Sequence, residues 1–458
     1  MSCVTNPVSG QKQLMLLSEK DELTLGKEWY PNILWSAEGG GGEYKDEKLK
    51  TYLKGLILEI NKVSHRPHLP IDFVIQNTSL PNAWAIPGHV AITRGLLQAL
   101  ESEAEFVYIM GHEIGHISAR HSASQISKSI IADFLLTGAS YSLSGKAYGD
   151  LALTLGSIGT NLVLLKYSRN DELEADRLGV EYMTKLGYDP KNALKAHLSL
   201  KKASEEYLKK VGRDSDEGNF FSELLSTHPR TSVRMEELSK IVEMSKLPYL
   251  RGDGTQKKKF QEEISDLKRT HNLYITYYDP AVAALRKNRI READALIEKA
   301  INEKRDEPAF YALKGFIELR KLRSNVAEEY FKKAIELDPD YQPAYRGLGI
   351  VYFEKNEIER ALPFFKKALS IFPNDVSSHF FLGMSNFRLK IYEKAIPHLE
   401  VATKAFMDHP SIYGTLGICY EKQGNLRKAY EAYSKQLQVA PDNEMGRYAK
   451  NRLSSMGK

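Results

Sequence analysis

Gly111-His112-Glu113-Ile114-Gly115-His116-Ile117-Ser118-Ala119-Arg120-His121 lies within a helical pattern running from Ser102 to Ser122. His112 and His116 are four residues apart. On a helix that spacing puts both imidazoles on one face, one turn apart, where they can reach one metal ion. Glu113 takes the neighbouring position and can polarise a metal-bound water. Phe106, Val107, Ile109, Met110, Ile114 and Ile117 make the surroundings apolar. Two histidines and a glutamate embedded there need partners, and zinc would supply them. Gly115 leaves room for a close backbone approach beside the metal. The competing reading, a polar helix face with two exposed histidines, fits this apolar setting less well.

A catalytic zinc takes three protein ligands and keeps one position open. The candidates for the third lie downstream, in Tyr167-Ser168-Arg169-Asn170-Asp171-Glu172-Leu173-Glu174-Ala175-Asp176-Arg177. Glu172 and Asp176 share a helix face. One can ligate the metal while the other hydrogen-bonds a ligating histidine. Glu174 points elsewhere. The alternative is a solvated acidic helix start, which the helix dipole favours.

Outward from these segments, Ser18 with Asp21 reads as a capping box opening a helix. Gly39 to Gly42 is a break, and Asp46 to Val63 reads as an amphipathic helix. Ile71 to Gln76 and Ala83 to Thr93 read as two strands. The uncharged run Leu151 to Leu165 is expected to pack as a helix near the active site, and Asp171 to Leu186 is a further helix. Ser245 to Lys259, with Pro248, Gly252 and Gly254, reads as a linker. Beyond it the chain repeats every 34 residues. Gly315, Gly349, Gly383 and Gly417 hold one register, and Ala293, Ala327, Ala361, Ala395 and Ala429 another. Pro339, Pro373 and Pro441 share a third position, where Met407 stands in the remaining repeat. This is the tetratricopeptide pattern, in which small residues let paired helices approach and the proline marks the turn. Four good repeats follow one degenerate leading repeat.

Apolar residues make up 42% and charged residues 27%, which favours neither a disordered chain nor a membrane bundle. A net charge of +5 over 458 residues, with no aromatic–basic interleaving, argues against nucleic-acid binding. No stretch reaches the ~18 apolar residues that span a bilayer. Cys3 and Cys419 make no disulfide framework, and Cys419 reads as a buried thiol. No apolar signal segment precedes Cys3, so the chain is either cytoplasmic or starts near a processing point.

The two motif segments together resemble the zinc peptidase family that includes the CAAX prenyl protease and HtpX. The repeats add a likeness to its BepA-like branch, periplasmic proteases of outer-membrane quality control. The resemblance covers about residues 3 to 245, with the rest as repeats. It implies one zinc per chain on His112, His116 and Glu172, Glu113 as catalytic base, and Asp176 supporting a ligand. Asn82 to Gly95 matches the family's edge strand, so Trp84, Ala85 and Ile86 are expected to take a substrate as an added strand. Only Gly88 precedes His89 where relatives usually carry two glycines. Ser226-Thr227-His228-Pro229 matches the segment whose histidine can occupy the open zinc position, making His228 an expected inhibitory fourth ligand. Lipoproteins of this family can begin with a run like Cys3-Val4-Thr5-Asn6-Pro7, which implies a lipidated Cys3 and a membrane tether in the periplasm of a diderm bacterium.

The expected fold is therefore α+β, predominantly helical, with a zincin-type metallopeptidase domain followed by an α-solenoid of tetratricopeptide repeats. The expected boundaries are a tail at 1–17, the peptidase at 18–245, a linker at 246–270 and the repeats at 271–458. The expected function is hydrolysis of misfolded or misassembled envelope proteins, with the repeats recruiting a protein partner or client. The alternative is a non-enzymatic scaffold or holdase-like chaperone with a closed zinc site. Retention of Glu113 favours the enzyme, because a purely structural site needs no base.

Overall fold

The computed structural model describes residues 2–36, 41–128, 167–211 and 232–456. The Leu151 to Leu165 run and His228 lie outside the described residues. The fold is mostly helical with a small sheet, and it divides into two compact units, Met1–Thr276 and Tyr277–Lys458. Among the described residues no helix is long and apolar enough to cross a membrane.

In the first unit a hairpin of β1 (Ser2–Thr5) and β2 (Lys12–Met15) leads into α1 (Glu19–Ser36). The Ser18 and Asp21 side chains exchange the capping-box hydrogen bonds that start α1. Helix α2 (Glu47–Val63) starts at Asp46, whose side chain accepts from the Leu49 amide. The sheet follows: β3 (Asp72–Gln76), β4 (Ala83–Ile86) and β5 (His89–Thr93), in the order β3-β5-β4. The Ala83 to Thr93 run expected as one strand is thus a hairpin. Pro87 and Gly88 break it, with Gly88 at φ +87, a left-handed conformation that favours glycine. Strand β5 pairs parallel with β3 and antiparallel with β4, leaving β4 at the edge.

Side chains alternate across this sheet. Phe73, Ile75, Ala83, Ala85, Val90 and Ile92 join the core that holds Phe106, Val107, Met110 and Ile114 of α4 (Glu103–Ser118). On the opposite face Val74, Trp84, Ile86 and Ala91 pack with Leu25, Trp29 and Ile33 of α1. The sheet is covered on both sides, so its strands are nearly continuous in apolar residues. After the four-residue helix α3 (Arg94–Leu97), α4 carries the paired histidines, and α5 (Arg169–Lys185) carries the acidic segment. Helix α6 (Lys191–Val211) and α7 (Ser232–Met244) complete this part.

Residues 246–270, expected as a linker, lie within the first unit and contribute to its core. Phe260 and Ile264, on and just after α8 (Lys257–Glu263), belong to its core, as does Leu267 of α9 (Ser265–Leu273). The glycine-rich stretch is also tied down. The Arg251 amide donates to Gly187 O at 2.8 Å, Asp189 N to Gly254 O at 3.0 Å, and Ala104 N to Thr255 O at 3.2 Å. Here Gly and Pro mark a folded turn, and the apolar residues after them decide the packing.

The second unit is a series of helix pairs, beginning with α10 (Asp279–Arg286) and α11 (Ile290–Glu303). The pairs α12 (Pro308–Arg320) with α13 (Ser324–Leu337) and α14 (Gln342–Glu354) with α15 (Ile358–Ile371) follow. Then come α16 (Val376–Arg388) with α17 (Tyr392–Ala405), α18 (Ile412–Lys422) with α19 (Leu426–Val439), and the terminal α20 (Glu444–Met456). The repeat glycines sit where partner helices cross. A Cβ on Gly349 would stand 2.4 Å from the Phe365 ring, and one on Gly417 2.5 Å from the Tyr433 ring. The five repeat alanines are fully buried. Where Met407 replaces the proline, α17 ends at Ala405 and α18 begins only at Ile412, a longer connection than the other repeats have.

The turn inside each pair has its own register. Asn288, Leu322, Asn356, Lys390 and Gly424 all have positive φ, between 59 and 76. Five positions at one 34-residue interval include the degenerate leading repeat. Leu322 is 87% exposed and is the only apolar residue of the five. It has little burial to set against a left-handed backbone that costs a non-glycine residue about 1 kcal/mol. Leu322→Gly is therefore expected to stabilise the repeat unit by about 1 kcal/mol, read as a higher urea midpoint in far-ultraviolet circular dichroism. An unchanged or lower midpoint would show that Leu322 makes up the cost elsewhere.

Candidate metal centre

Helices α4 and α5 cross with almost no side chain between them. A Cβ on Gly111 would stand 3.3 Å from Gly179 Cα, and one on Gly179 3.1 Å from the His112 amide nitrogen. Gly115 faces Ala175 and Leu178 at 3.1–3.4 Å. The motif glycines thus let the acidic helix lie against the histidine helix. Both helices are fixed at their starts: Ser102 caps α4, and Ser168 with Asp171 forms a capping box on α5.

This crossing brings His112, His116 and Glu172 together. One donor atom from each lies within 4.8 Å of the others, and all three residues are buried. His112 Nε2 and His116 Nε2 are 3.1 Å apart. Glu172 Oε1 is 3.5 Å from His116 Nε2, and Glu172 Oε2 is 3.7 Å from His112 Nε2. Glu113 is buried next to His112. Asp176 lies one turn beyond Glu172 and reaches the far side of the first imidazole, its Oδ1 3.0 Å from His112 Nδ1. Glu174 is outside the group of three and sits 3.1 Å from His121 Nε2.

Arg234 of α7 is a participant the sequence reading overlooked. It is 3% exposed. Its Nε and Nη2 donate to the Asp176 carboxylate at 2.5 and 2.7 Å, and its Nη1 stands 2.5 Å from Glu172 Oε2. One guanidinium therefore balances two buried carboxylates. Burial alone would raise the Asp176 pKa. The hydrogen bonds and charge of Arg234, with His112 and His197, hold it well below the usual carboxylate range instead. Tyr108 also donates to Asp176, at 2.8 Å, and stands 2.9 Å from His197 Nε2. Its hydroxyl is raised well above the ordinary tyrosine value by burial and then by Asp176. The available signal for Arg234 was its helical spacing, since it shares the buried face of α7 with Leu238 and Val242.

Trp84, Ala85 and Ile86 form the body of the edge strand β4. Ala85 faces the core shared with α4, while Trp84 and Ile86 face α1. His89 stacks on Tyr30, ring centroids 4.2 Å apart, and burial lowers its pKa.

The profile of Peptidase family M48 matches residues 45–242. Protease HtpX homolog from Pyrococcus abyssi is 30% identical over 211 residues, which cover 40% of this chain and 71% of that protein. The chain belongs to peptidase family M48. Its M48 segment is followed by tetratricopeptide repeat matches at residues 308–341, 325–379 and 410–443. Mitochondrial metalloendopeptidase OMA1 of Arabidopsis thaliana is 30% identical over 177 residues, 38% of this chain and 32% of that protein. The Beta-barrel assembly-enhancing protease of Escherichia coli K12 is 25% identical over 242 residues, 52% of this chain and 47% of that one. The matched segments span about a third to a half of these two M48 relatives.

The donor set of this M48 chain fits a zinc ion. Ligands about 2.0–2.1 Å from a tetrahedral zinc stand about 3.3–3.4 Å from one another. The two imidazole Nε2 atoms stand 3.1 Å apart, Glu172 Oε1 stands 3.5 Å from His116 Nε2 and Glu172 Oε2 stands 3.7 Å from His112 Nε2, all close to that value. Two imidazoles and one carboxylate are also the ligand types of a catalytic site with one position left open.

Proposed function

We propose that this M48 chain is a zinc-dependent endopeptidase, with one zinc held by His112, His116 and Glu172 and with Glu113 as the general base. The observation that carries this reading is the convergence of those three donors on one point between two helices. Zinc bound there would act as a Lewis acid, polarising the scissile carbonyl and lowering the pKa of a bound water. Glu113 takes the proton of the attacking water and delivers it to the leaving amine. Asp176 accepts from His112 Nδ1, which leaves Nε2 with its lone pair toward the metal. Arg234 holds Asp176 and Glu172 in place and keeps Asp176 ionised. The substrate adds to the edge of β4 as an extended strand, alongside Trp84, Ala85 and Ile86.

His228 is proposed as a fourth ligand that closes the site at rest. The chain supports this reading, because Arg234, six residues further on, touches Glu172 and Asp176. The substrates are proposed to be misfolded or misassembled envelope proteins, delivered by a partner or client on the repeats, with a lipidated Cys3 tethering the chain in the periplasm. The support is the likeness to the Beta-barrel assembly-enhancing protease.

The test is digestion of an unfolded protein by the full chain. Cleavage is expected to stop on treatment with a zinc chelator and to return when zinc is restored. Cleavage that persists at full rate with the metal stripped would remove the proposal.

A further inference from the structure

We infer that His121 and Glu174 form a positioning relay that orients His116 toward the metal. The inference rests on the zinc reading above. The two histidines of the motif are held differently. His112 Nδ1 meets a carboxylate directly, Asp176 Oδ1 at 3.0 Å. His116 Nδ1 meets a second imidazole, His121 Nδ1 at 2.9 Å, and His121 Nε2 then meets Glu174 Oε2 at 3.1 Å. His121 is 3% exposed, so the chain of contacts runs through the interior to a partly exposed carboxylate.

The proton positions follow from donor and acceptor rules. If His116 ligates through Nε2, its proton must lie on Nδ1. That N–H donates to His121 Nδ1, which therefore carries the lone pair. The His121 proton is then on Nε2 and donates to Glu174. Each step fixes the next, and the carboxylate at the end sets both tautomers. Tyr167 holds the His116 ring from another side, stacked with centroids 3.9 Å apart at 22°.

The backbone is bent to build this contact. In an unbroken helix a residue five positions on from His116 would lie roughly 140° around the axis. The chain leaves α4 after Ser118, and Arg120 adopts φ 60, a conformation that costs a non-glycine residue about 1 kcal/mol. Arg120 is locked there by donating to Glu22 Oε1 at 2.5 Å and to Leu17 O at 2.8 Å. The result is to return His121 to His116. A strained residue over-determined by its neighbours, beside a candidate metal site, is the pattern expected of a positioning element.

The test measures zinc affinity of the full-length protein by competition with a chromophoric chelator. His121→Leu is expected to weaken zinc binding roughly 10–100-fold, the usual cost of losing a partner behind a ligand. His121→Asn places an amide oxygen near the position of Nδ1 and is expected to recover most of that loss. Glu174→Ala is expected to weaken binding by less than His121→Leu, and to add nothing in the His121→Leu background, since the relay is already broken. Additive losses, or a His121→Asn variant no better than His121→Leu, would overturn the relay. If His121→Leu does not fold, Glu174→Ala and His121→Asn decide alone, and wild-type affinity in Glu174→Ala overturns it. A wild-type protein that binds no zinc takes the metal reading and the relay down together. Wild-type zinc binding with no change in any variant removes the relay alone.

Discussion

Glu113→Gln is expected to purify with roughly one zinc per chain and to cleave an unfolded protein roughly 10²–10⁴-fold more slowly than wild type, the usual span for losing a general acid–base group. His116→Ala is expected to lose both zinc and activity. The two results separate binding from chemistry. Glutamine keeps the size and shape of glutamate but cannot accept the proton of an attacking water. Glu113 is not one of the three converging donors, so its replacement should leave the metal in place. His116 contributes the donor nearest to His112, at 3.1 Å, and its removal leaves one imidazole and one carboxylate. Two ligands do not make the three-ligand site that zinc enzymes use. Substantial activity in Glu113→Gln would assign the base to another group. Equal metal content in His116→Ala and wild type would move the site.

How much of this was legible in the sequence depends on the range of the contacts. The His112 and His116 pair, the Glu172 and Asp176 pair and the 34-residue repeat are all local patterns. Helical periodicity places such residues on one face without knowledge of the rest of the fold. The repeat glycines and alanines were readable for a related reason, since helices crossing closely leave no room for larger side chains. The missed features involve distant partners. Glu174 meets His121 across 53 residues, and Arg234 meets Asp176 across 58. On a single helix, Glu174 looks like a solvated acid. Residues 246–270 misled for another reason: Gly252 and Gly254 supply positive φ for tight turns, which composition alone does not distinguish from flexibility. Within the repeats, left-handed turns repeat at Asn288, Asn356 and Gly424, all tolerant residue types, while Leu322 and Lys390 hide the same register.

Arg234→Met is expected to destabilise the first unit by about 3–5 kcal/mol at neutral pH, the range found when one partner of a buried ion pair is removed. Methionine approximates the length of the side chain but leaves Asp176 and Glu172 buried without their shared cation. The pH dependence gives the effect a sign. In the wild type Asp176 has a folded pKa well below its ordinary value, because Arg234 outweighs the burial that would raise it. It therefore stabilises the fold above the unfolded pKa, and that contribution is lost as pH falls through the folded pKa. Without Arg234, burial dominates and favours the protonated carboxyl. The deficit should then be largest near neutrality and should shrink as pH falls toward the ordinary aspartate value of about 4. The measurement is direct, because Trp29, Trp35 and Trp84 all lie in the first unit and their fluorescence in denaturant reports it alone. Metal-free protein should be compared at each pH, so that zinc binding does not contribute to apparent stability. A deficit below about 1 kcal/mol, comparable to an exposed ion pair, would mean that the two carboxylates find other compensation. A deficit of full size that stays constant with pH would place the loss in packing, and Arg234 would no longer be the group that keeps Asp176 ionised behind His112.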